Sequence, residues 1–186
     1  GAIGKPGLVG TWPDDPPLSR EQRKTMLDPL TQLWNRAGLN HFLLKQEQQA
    51  DELGLHLGVL FCDLDHFKRI NDQHGHAAGD QVLWETARRI NAAVRPQDIV
   101  TRSGGEEFVV LLQVHDEQEL LHIAERIRNT LSKEPIELDE QQLSLTISIG
   151  AALRTPSETP NEAMNRADQA LYQAKGNGRN RVELAS

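Results

Sequence analysis

One cysteine, Cys62, is the only thiol in 186 residues. A single cysteine excludes an internal disulfide framework and a cysteine-built zinc site. Long apolar runs are missing as well. Nothing approaches the ~18 consecutive apolar residues of a membrane span, so no membrane contact is expected of this segment. An excess of basic charge is absent: 20 Lys and Arg stand against 27 Asp and Glu, a formal charge of −7. Double-stranded nucleic acid is therefore not the expected partner, because binding its phosphates needs a basic face. The common phosphate loops are lacking: there is no G-x-x-x-x-G-K-[ST], and no G-x-G-x-x-G after a strand. A serine elbow for acyl chemistry is lacking too. The first residue is Gly1, not Met, and no signal peptide follows. A cytoplasmic location is expected, for a piece of a longer protein whose sensor or membrane anchor would lie upstream.

What is present reads as one globular domain with an extension. Residues 1–24 begin rich in Gly and Pro, with Trp12-Pro13 and Pro16-Pro17, and are expected to be a linker or the end of an upstream segment. Residues 25–186 are expected to form the domain. Leu39, Phe42 and Leu43 share a helix face that Gly54 ends. Leu55 to Cys62 is an apolar run of strand length. Leu83, Ala87, Ile90 and Val94 recur at helical spacing, with Pro96 just beyond. Ile99–Arg102 and Phe108–Gln113 flank Ser103-Gly104-Gly105-Glu106 as a hairpin. Leu120, Ala124, Ile127 and Leu131 mark a third helix, and Leu143–Leu153 a β-branched strand. Thr159, Pro160 and Glu162 form a capping box and Pro start for a fourth helix. Its stripe Ala163, Ala167, Ala170 and Ala174 permits close packing. A last strand is expected over Arg181–Leu184. The pattern predicts an α/β (α+β) fold, a mixed sheet with helices packed around it.

Three constellations could carry chemistry. Asp63-Leu64-Asp65 follows a buried strand, and Asp65 reads as an N-cap for the next turn. A calcium loop is excluded there, since Lys68 and His74 fall where its glycine and closing glutamate belong. Gly104-Gly105-Glu106-Glu107 puts two glycines and two adjacent acids on a hairpin tip. Adjacent acids repel and call for a nearby cation. If the first strand neighbours the hairpin, Asp63 and Glu106 converge, a hard-oxygen set suited to Mg²⁺. Asn71 to Asp80 is expected to be a loop between helices. Its amides and carboxylates could read a purine edge or merely serve turns and caps. His74-x-His76 lacks the further ligands of a zinc site. Residues 116–140 hold eight acids against Arg126, Arg128 and Lys133, a solvated acidic face. Lys175, Arg179 and Arg181 beside Gly176 and Gly178 read either as phosphate contacts or as a solvated basic tail.

Together these segments resemble the GGDEF family of diguanylate cyclases. Ser103-Gly104-Gly105-Glu106-Glu107-Phe108 is the GGEEF form of its central motif. Asp28-Pro29-Leu30-Thr31-Gln32-Leu33-Trp34-Asn35-Arg36 resembles D-x-L-T-x-L-x-N-R. Asp63-Leu64-Asp65-His66-Phe67-Lys68-Arg69-Ile70-Asn71-Asp72 resembles D-[IL]-D-x-F-K-x-[IV]-N-D. Gly75-His76-Ala77-Ala78-Gly79-Asp80 resembles G-H-x-x-G-D. Thr146 to Gly150 and Ala170 to Asn180 resemble T-[VI]-S-[IV]-G and A-L-Y-x-A-K-x-x-G-[RK]-N. Six motifs in order, over about Asp28 to Val182, are specific where one would not be. Gln32 and Ala37 depart from the family's common Gly and Arg at positions without chemistry.

The resemblance implies a cyclase-palm fold with a five-stranded mixed sheet, related to the adenylyl cyclase and polymerase palm. It implies a homodimer in which two GTP, one per domain, condense to cyclic di-GMP and two pyrophosphates. The implied cofactor is Mg²⁺ or Mn²⁺, on Asp63, Glu106 and the carbonyl of Leu64. Glu107 is implied to help deprotonate the 3′-hydroxyl. Asn71 and Asp80 are implied to read guanine. Lys68, Lys175 and Arg179 are implied to hold phosphates, helped by turn N–H groups from Asp65 to Phe67, and His76 joins the substrate set. Arg95-Pro96-Gln97-Asp98 matches the family's R-x-x-D product-inhibition site, with Arg126 from a neighbouring domain. The alternative reading is a non-catalytic receptor for cyclic di-GMP or GTP, though such members usually lose the acids retained here.

Overall fold

The computed structural model describes residues 17–186. Most of the expected linker, including Trp12-Pro13, lies outside the described residues. The elements run α1 (Arg20–Met26), α2 (Arg36–Leu53), β1 (His56–Leu64), α3 (Phe67–His74), α4 (His76–Ala93), β2 (Ile99–Gly104), β3 (Glu107–Val114), α5 (Glu117–Ser132), β4 (Ile136–Leu138), β5 (Gln141–Leu143), β6 (Ile147–Leu153), α6 (Pro160–Gly176) and β7 (Val182–Leu184). Five strands form one mixed sheet in the order β2-β3-β1-β6-β7, and β4-β5 form a separate hairpin. Only the β6–β7 pair of the main sheet is parallel.

β1 is central because both its faces are covered, which is why its sequence is apolar without alternation. Leu60, Cys62 and Leu64 join the core beneath α4 and α5, with Val82, Leu83, Ile90, Ile123 and Ile127. Leu57, Val59 and Phe61 join the opposite core, with Phe42 of α2 and Ala163, Ala167 and Leu171 of α6. Side chains alternate faces along a strand. Asp63 therefore continues the row that faces α2 and α6. On β3, Val109 and Leu111 lie in that same core, which puts Glu107 in register with it. The small residues of α6 let the helix lie close on β6. A Cβ on Gly150 would overlap the backbone of α6 at Ala167 and Leu171.

Helix boundaries follow the expected chemistry. Thr159 and Glu162 exchange both capping-box bonds, with Pro160 at the first turn. Gly54 ends α2 in the left-handed region, φ 70°, where a residue without Cβ is unstrained. Three expectations fail. Residues 71–80 are not a loop, because α3 and α4 meet at Gly75 alone. Phe67 and Ile70 give α3 a buried face, and Val82 and Leu83 do the same for α4, so tertiary burial overrides turn-prone composition. The strand over Leu143–Leu153 is two elements, β5 and β6, with Ser144, Leu145 and Thr146 between them. Asp65 is not an N-cap. His66 takes that position with φ 59° and no capping bond from its side chain.

Candidate functional site

β1, β3 and the hairpin turn bring three carboxylates to one end of the sheet. Asp63 pairs with Glu107 across β3 and with Ser148 across β6. Leu64 N–H donates to the carbonyl of Glu106 at 3.4 Å, closing the turn onto β1. Lys175 of α6 donates to Asp63 Oδ2 at 2.7 Å. Burial raises the Asp63 pKa. The Lys175 hydrogen bond and charge oppose that rise, and Glu106 and Glu107 add to it. Burial, and then Asp63 and Glu107, push the Cys62 thiol up, which leaves it inert at neutral pH. Among the described residues no three His, Cys, Asp or Glu side chains form a group that could hold a metal ion by themselves. Two carboxylates and a carbonyl are instead an open, hard-oxygen set, of the kind that suits an ion retaining waters and substrate oxygens.

Beside the acids lies a cavity of about 490 Å³, lined by Phe67, Lys68, Asn71, His76, Asp80, Leu83, Arg102, Gly105 and Glu106. It joins the hairpin tip to the α3–α4 elbow. The side chains of Lys68, Asn71, His76 and Asp80 make no hydrogen bond among the described residues, so their donors and acceptors are available. Gly79 explains where Asn71 points: a Cβ there would overlap Asn71 Oδ1. A larger cavity, about 680 Å³, lies between the elbow and the β4–β5 hairpin, bordered by Gln73, His74, Asp139 and Glu140. None of the implied metal or nucleotide residues borders it.

The hairpin itself is clamped. Gly105 turns at φ 51°. Arg102 Nε donates to the Gly105 carbonyl at 2.8 Å, and its NH1 reaches Asp28 Oδ1 at 3.0 Å. Asp28 also accepts from Thr31 N and Oγ1. The opening motif thus braces the glycine turn, a role its sequence did not disclose.

The segment after α6 is pinned by Asp65. Its carboxylate accepts from Thr146 Oγ1 at 2.6 Å, Ser148 Oγ at 2.6 Å and Asn180 N–H at 3.0 Å. Asp65 N–H donates to the Thr146 carbonyl, so of the expected turn donors from Asp65 to Phe67 this one is already engaged. Arg179 and Asn180 both take left-handed backbone, at φ 63° and 45°. The Arg179 guanidinium makes no hydrogen bond among the described residues, and Lys175 lies one turn before it.

Arg95 and Asp98 stand at the other end of β3. Arg95 donates to both oxygens of Asp98, at 3.0 and 2.8 Å, and to the Gln113 carbonyl at 2.7 Å. The Asp98 hydrogen bond raises the Arg95 pKa. Arg126 Nε donates to the Ala93 carbonyl at 2.7 Å, on the same domain and two residues from Arg95. Behind them Gln46 donates to the Gln97 carbonyl and Gln113 to Gln49 Oε1. This amide network ties α2 to the motif and was not legible beforehand, since glutamines so far apart in sequence carry no spacing signal.

The family model described as diguanylate cyclase, GGDEF domain, matches residues 25–181. The chain belongs to that family. It is 40% identical over 168 residues to diguanylate cyclase DgcP of Pseudomonas aeruginosa, covering 90% of this chain and 25% of the relative. It is 39% identical over 160 residues to the cyclic di-GMP phosphodiesterase NbdA of the same species, covering 86% of this chain and 20% of the relative. The solved coiled coil and GGDEF domain of DgcB from Caulobacter crescentus, in complex with c-di-GMP, superposes with a TM-score of 0.83 at 33% identity, covering 89% of this chain and 88% of that one. The chain spans 20% to 44% of the length of such curated relatives. Among the described residues no helix is long and apolar enough to cross a membrane.

Proposed function

We propose that this chain is a diguanylate cyclase domain, condensing two GTP into cyclic di-GMP and two pyrophosphates between two facing copies. One observation carries the reading. Asp63, Glu106 and Glu107 converge beside a cavity whose polar side chains Lys68, Asn71 and Asp80 make no hydrogen bond among the described residues. Such a cluster of acids does not stabilise a fold. Its excess negative charge suits a divalent cation and a triphosphate.

The donor set fits Mg²⁺ or Mn²⁺, held by Asp63, Glu106 and the Leu64 carbonyl. When bound, the ion supplies Lewis-acid neutralisation of phosphate charge. The remaining work belongs to the chain. Asn71 and Asp80 meet the guanine edge, an amide toward its acceptor and a carboxylate toward its N–H groups. Adenine would leave these groups unpaired and be rejected. Lys68, Lys175 and Arg179, with His76 and the backbone at Phe67, hold the phosphates. Glu107 takes the proton of the ribose 3′-hydroxyl, whose oxygen attacks the α-phosphate held by the facing copy. Pyrophosphate leaves from that phosphorus. One domain supplies half of each reacting pair, so turnover requires a homodimer. Arg95, oriented by the buried Asp98, and a neighbour's Arg126 bind product at the far end of β3, away from GTP, and hold two domains in an unproductive arrangement.

Incubation with GTP and Mg²⁺ over a protein dilution series, with chromatography of the products, tests this. Cyclic di-GMP should form, with a rate per domain that rises with concentration. Its absence at high protein concentration would overturn the reading.

A further inference from the structure

Ser103 is the residue that the β2–β3 hairpin throws out of register. Arg102 pairs with Phe108 and Gly104 pairs with Glu107, so two steps along β2 match one along β3. Such a bulge leaves one residue unpaired and re-aims its side chain. Here the Ser103 hydroxyl donates to Glu107 Oε1 at 3.0 Å. It is the only hydrogen bond that the Glu107 carboxylate makes among the described residues.

The placement matters because of what stands opposite. Glu107 pairs with Asp63 on β1, so its side chain has Ser103 on the β2 side and a second carboxylate on the β1 side. Directly opposed like charges repel, and a half-exposed glutamate with three free torsions would swing away. One hydroxyl donor stops that swing while leaving the other carboxylate oxygen its acceptor capacity. The donor is itself held: Arg102, immediately before it, is fixed to Gly105 and Asp28. Turn formation does not need the serine, since Gly105 takes the left-handed conformation and the Ser103 hydroxyl bonds to no backbone group among the described residues.

We propose that Ser103 is a positioning residue for Glu107, fixing the carboxylate that receives the ribose proton. This rests on the cyclase reading of Glu107 given above. The test is a double-mutant cycle on the dimeric enzyme with GTP. Ser103→Ala should lower kcat about tenfold while KM for GTP stays within about twofold, because the serine touches no part of the nucleotide-binding set. Ser103→Thr, which keeps the hydroxyl, should recover most of the loss. In a Glu107→Gln background, Ser103→Ala should have no further effect, since the group it positions is already disabled. Unchanged kcat in Ser103→Ala, beside an impaired Glu107→Gln, overturns the positioning role and leaves the cyclase reading intact. An equal tenfold loss in both backgrounds also overturns it. Full activity of Glu107→Gln would instead remove Glu107 from catalysis, and the positioning role with it.

Discussion

Lys175 Nζ lies 2.7 Å from Asp63 Oδ2, a contact across 112 residues of chain. The lysine stands in the last turn of α6 and the aspartate near the end of β1. Their ion pair fastens the helix to the sheet at the place where the proposed chemistry happens. It only partly offsets the burial and like charge around Asp63, whose pKa remains raised.

Asp63→Asn should therefore stabilise the fold while removing activity. An aspartate with a raised folded pKa is destabilising when ionised. That penalty is full at neutral pH and vanishes below its ordinary value of 3.8, where folded and unfolded states are both protonated. The variant should melt about 2–4 °C higher at neutral pH, a gain of roughly 1 kcal/mol, and the gap should close in acid. Cyclase activity should fall on the order of a hundredfold. A lower melting temperature at neutral pH would show that the Lys175 pair outweighs the burial.

Gly79→Ala separates binding from folding. The added methyl would overlap Asn71 Oδ1 and touch Phe67 at 3.3 Å. The amide is the flexible end of a side chain and can turn away. Alanine also favours a helix by about 1 kcal/mol over glycine. Stability should hold or rise while KM for GTP increases about tenfold, roughly 1.4 kcal/mol. Unaltered KM would mean that Asn71 does not read the base.

Glu158→Gln should cost stability in a pH-dependent way. Glu158 accepts from Arg166 at 2.7 and 2.6 Å, tying the β6–α6 connection to the helix. The Arg166 hydrogen bond holds its pKa below the ordinary 4.5 against the opposing effect of burial, and Thr155 N–H and Arg154 help. A depressed carboxylate pKa stabilises fully above the unfolded value, and that stability is lost as pH falls through the folded one. The wild type should lead the variant by roughly 0.5–1 kcal/mol at neutral pH, allowing for solvent screening. The difference should shrink as pH falls below 4.5 and close once Glu158 is protonated in the folded state too. A constant difference at all pH values would place the effect in packing.

The proposed product site at the far end of β3 can be tested apart from folding. Arg95→Ala should abolish cyclic di-GMP binding in calorimetry. It should also destabilise the domain by about 3 kcal/mol, because the Asp98 carboxylate, 0% exposed, loses its arginine. Among the described residues, the one hydrogen bond that Arg126→Ala removes is to the Ala93 carbonyl at the surface. It should weaken product binding without shifting the melting temperature. Wild-type affinity in both variants would remove the site.

Helices with a regular apolar stripe, α2, α4, α5 and α6, were legible in the sequence because burial and periodicity agree there. The Asn71–Asp80 stretch was not, because its composition favours turns and only packing by Phe67, Ile70, Val82 and Leu83 makes it helical. Asp63, Glu106 and Lys175 could be singled out as residue types, yet their convergence depends on β1 lying between β3 and β6, which no local pattern encodes. Asp65 was misread because capping is a local rule, whereas its three donors come from 81 to 115 residues away. Ser103 gave no signal: a bulge depends on how two strands count against each other.

The sheet is finished by the chain's final segment. β7 pairs with β6 only after α6 has crossed over, and Lys175, Arg179 and Asn180 all belong to this last stretch. A growing chain that has passed residue 114 already contains the hairpin acids and Lys68, but not Lys175, the lysine that pairs with Asp63. The proposed phosphate contacts from Lys175 and Arg179 are therefore the last part of the site to be made, and a chain cut before α6 would carry Asp63 without its cationic partner.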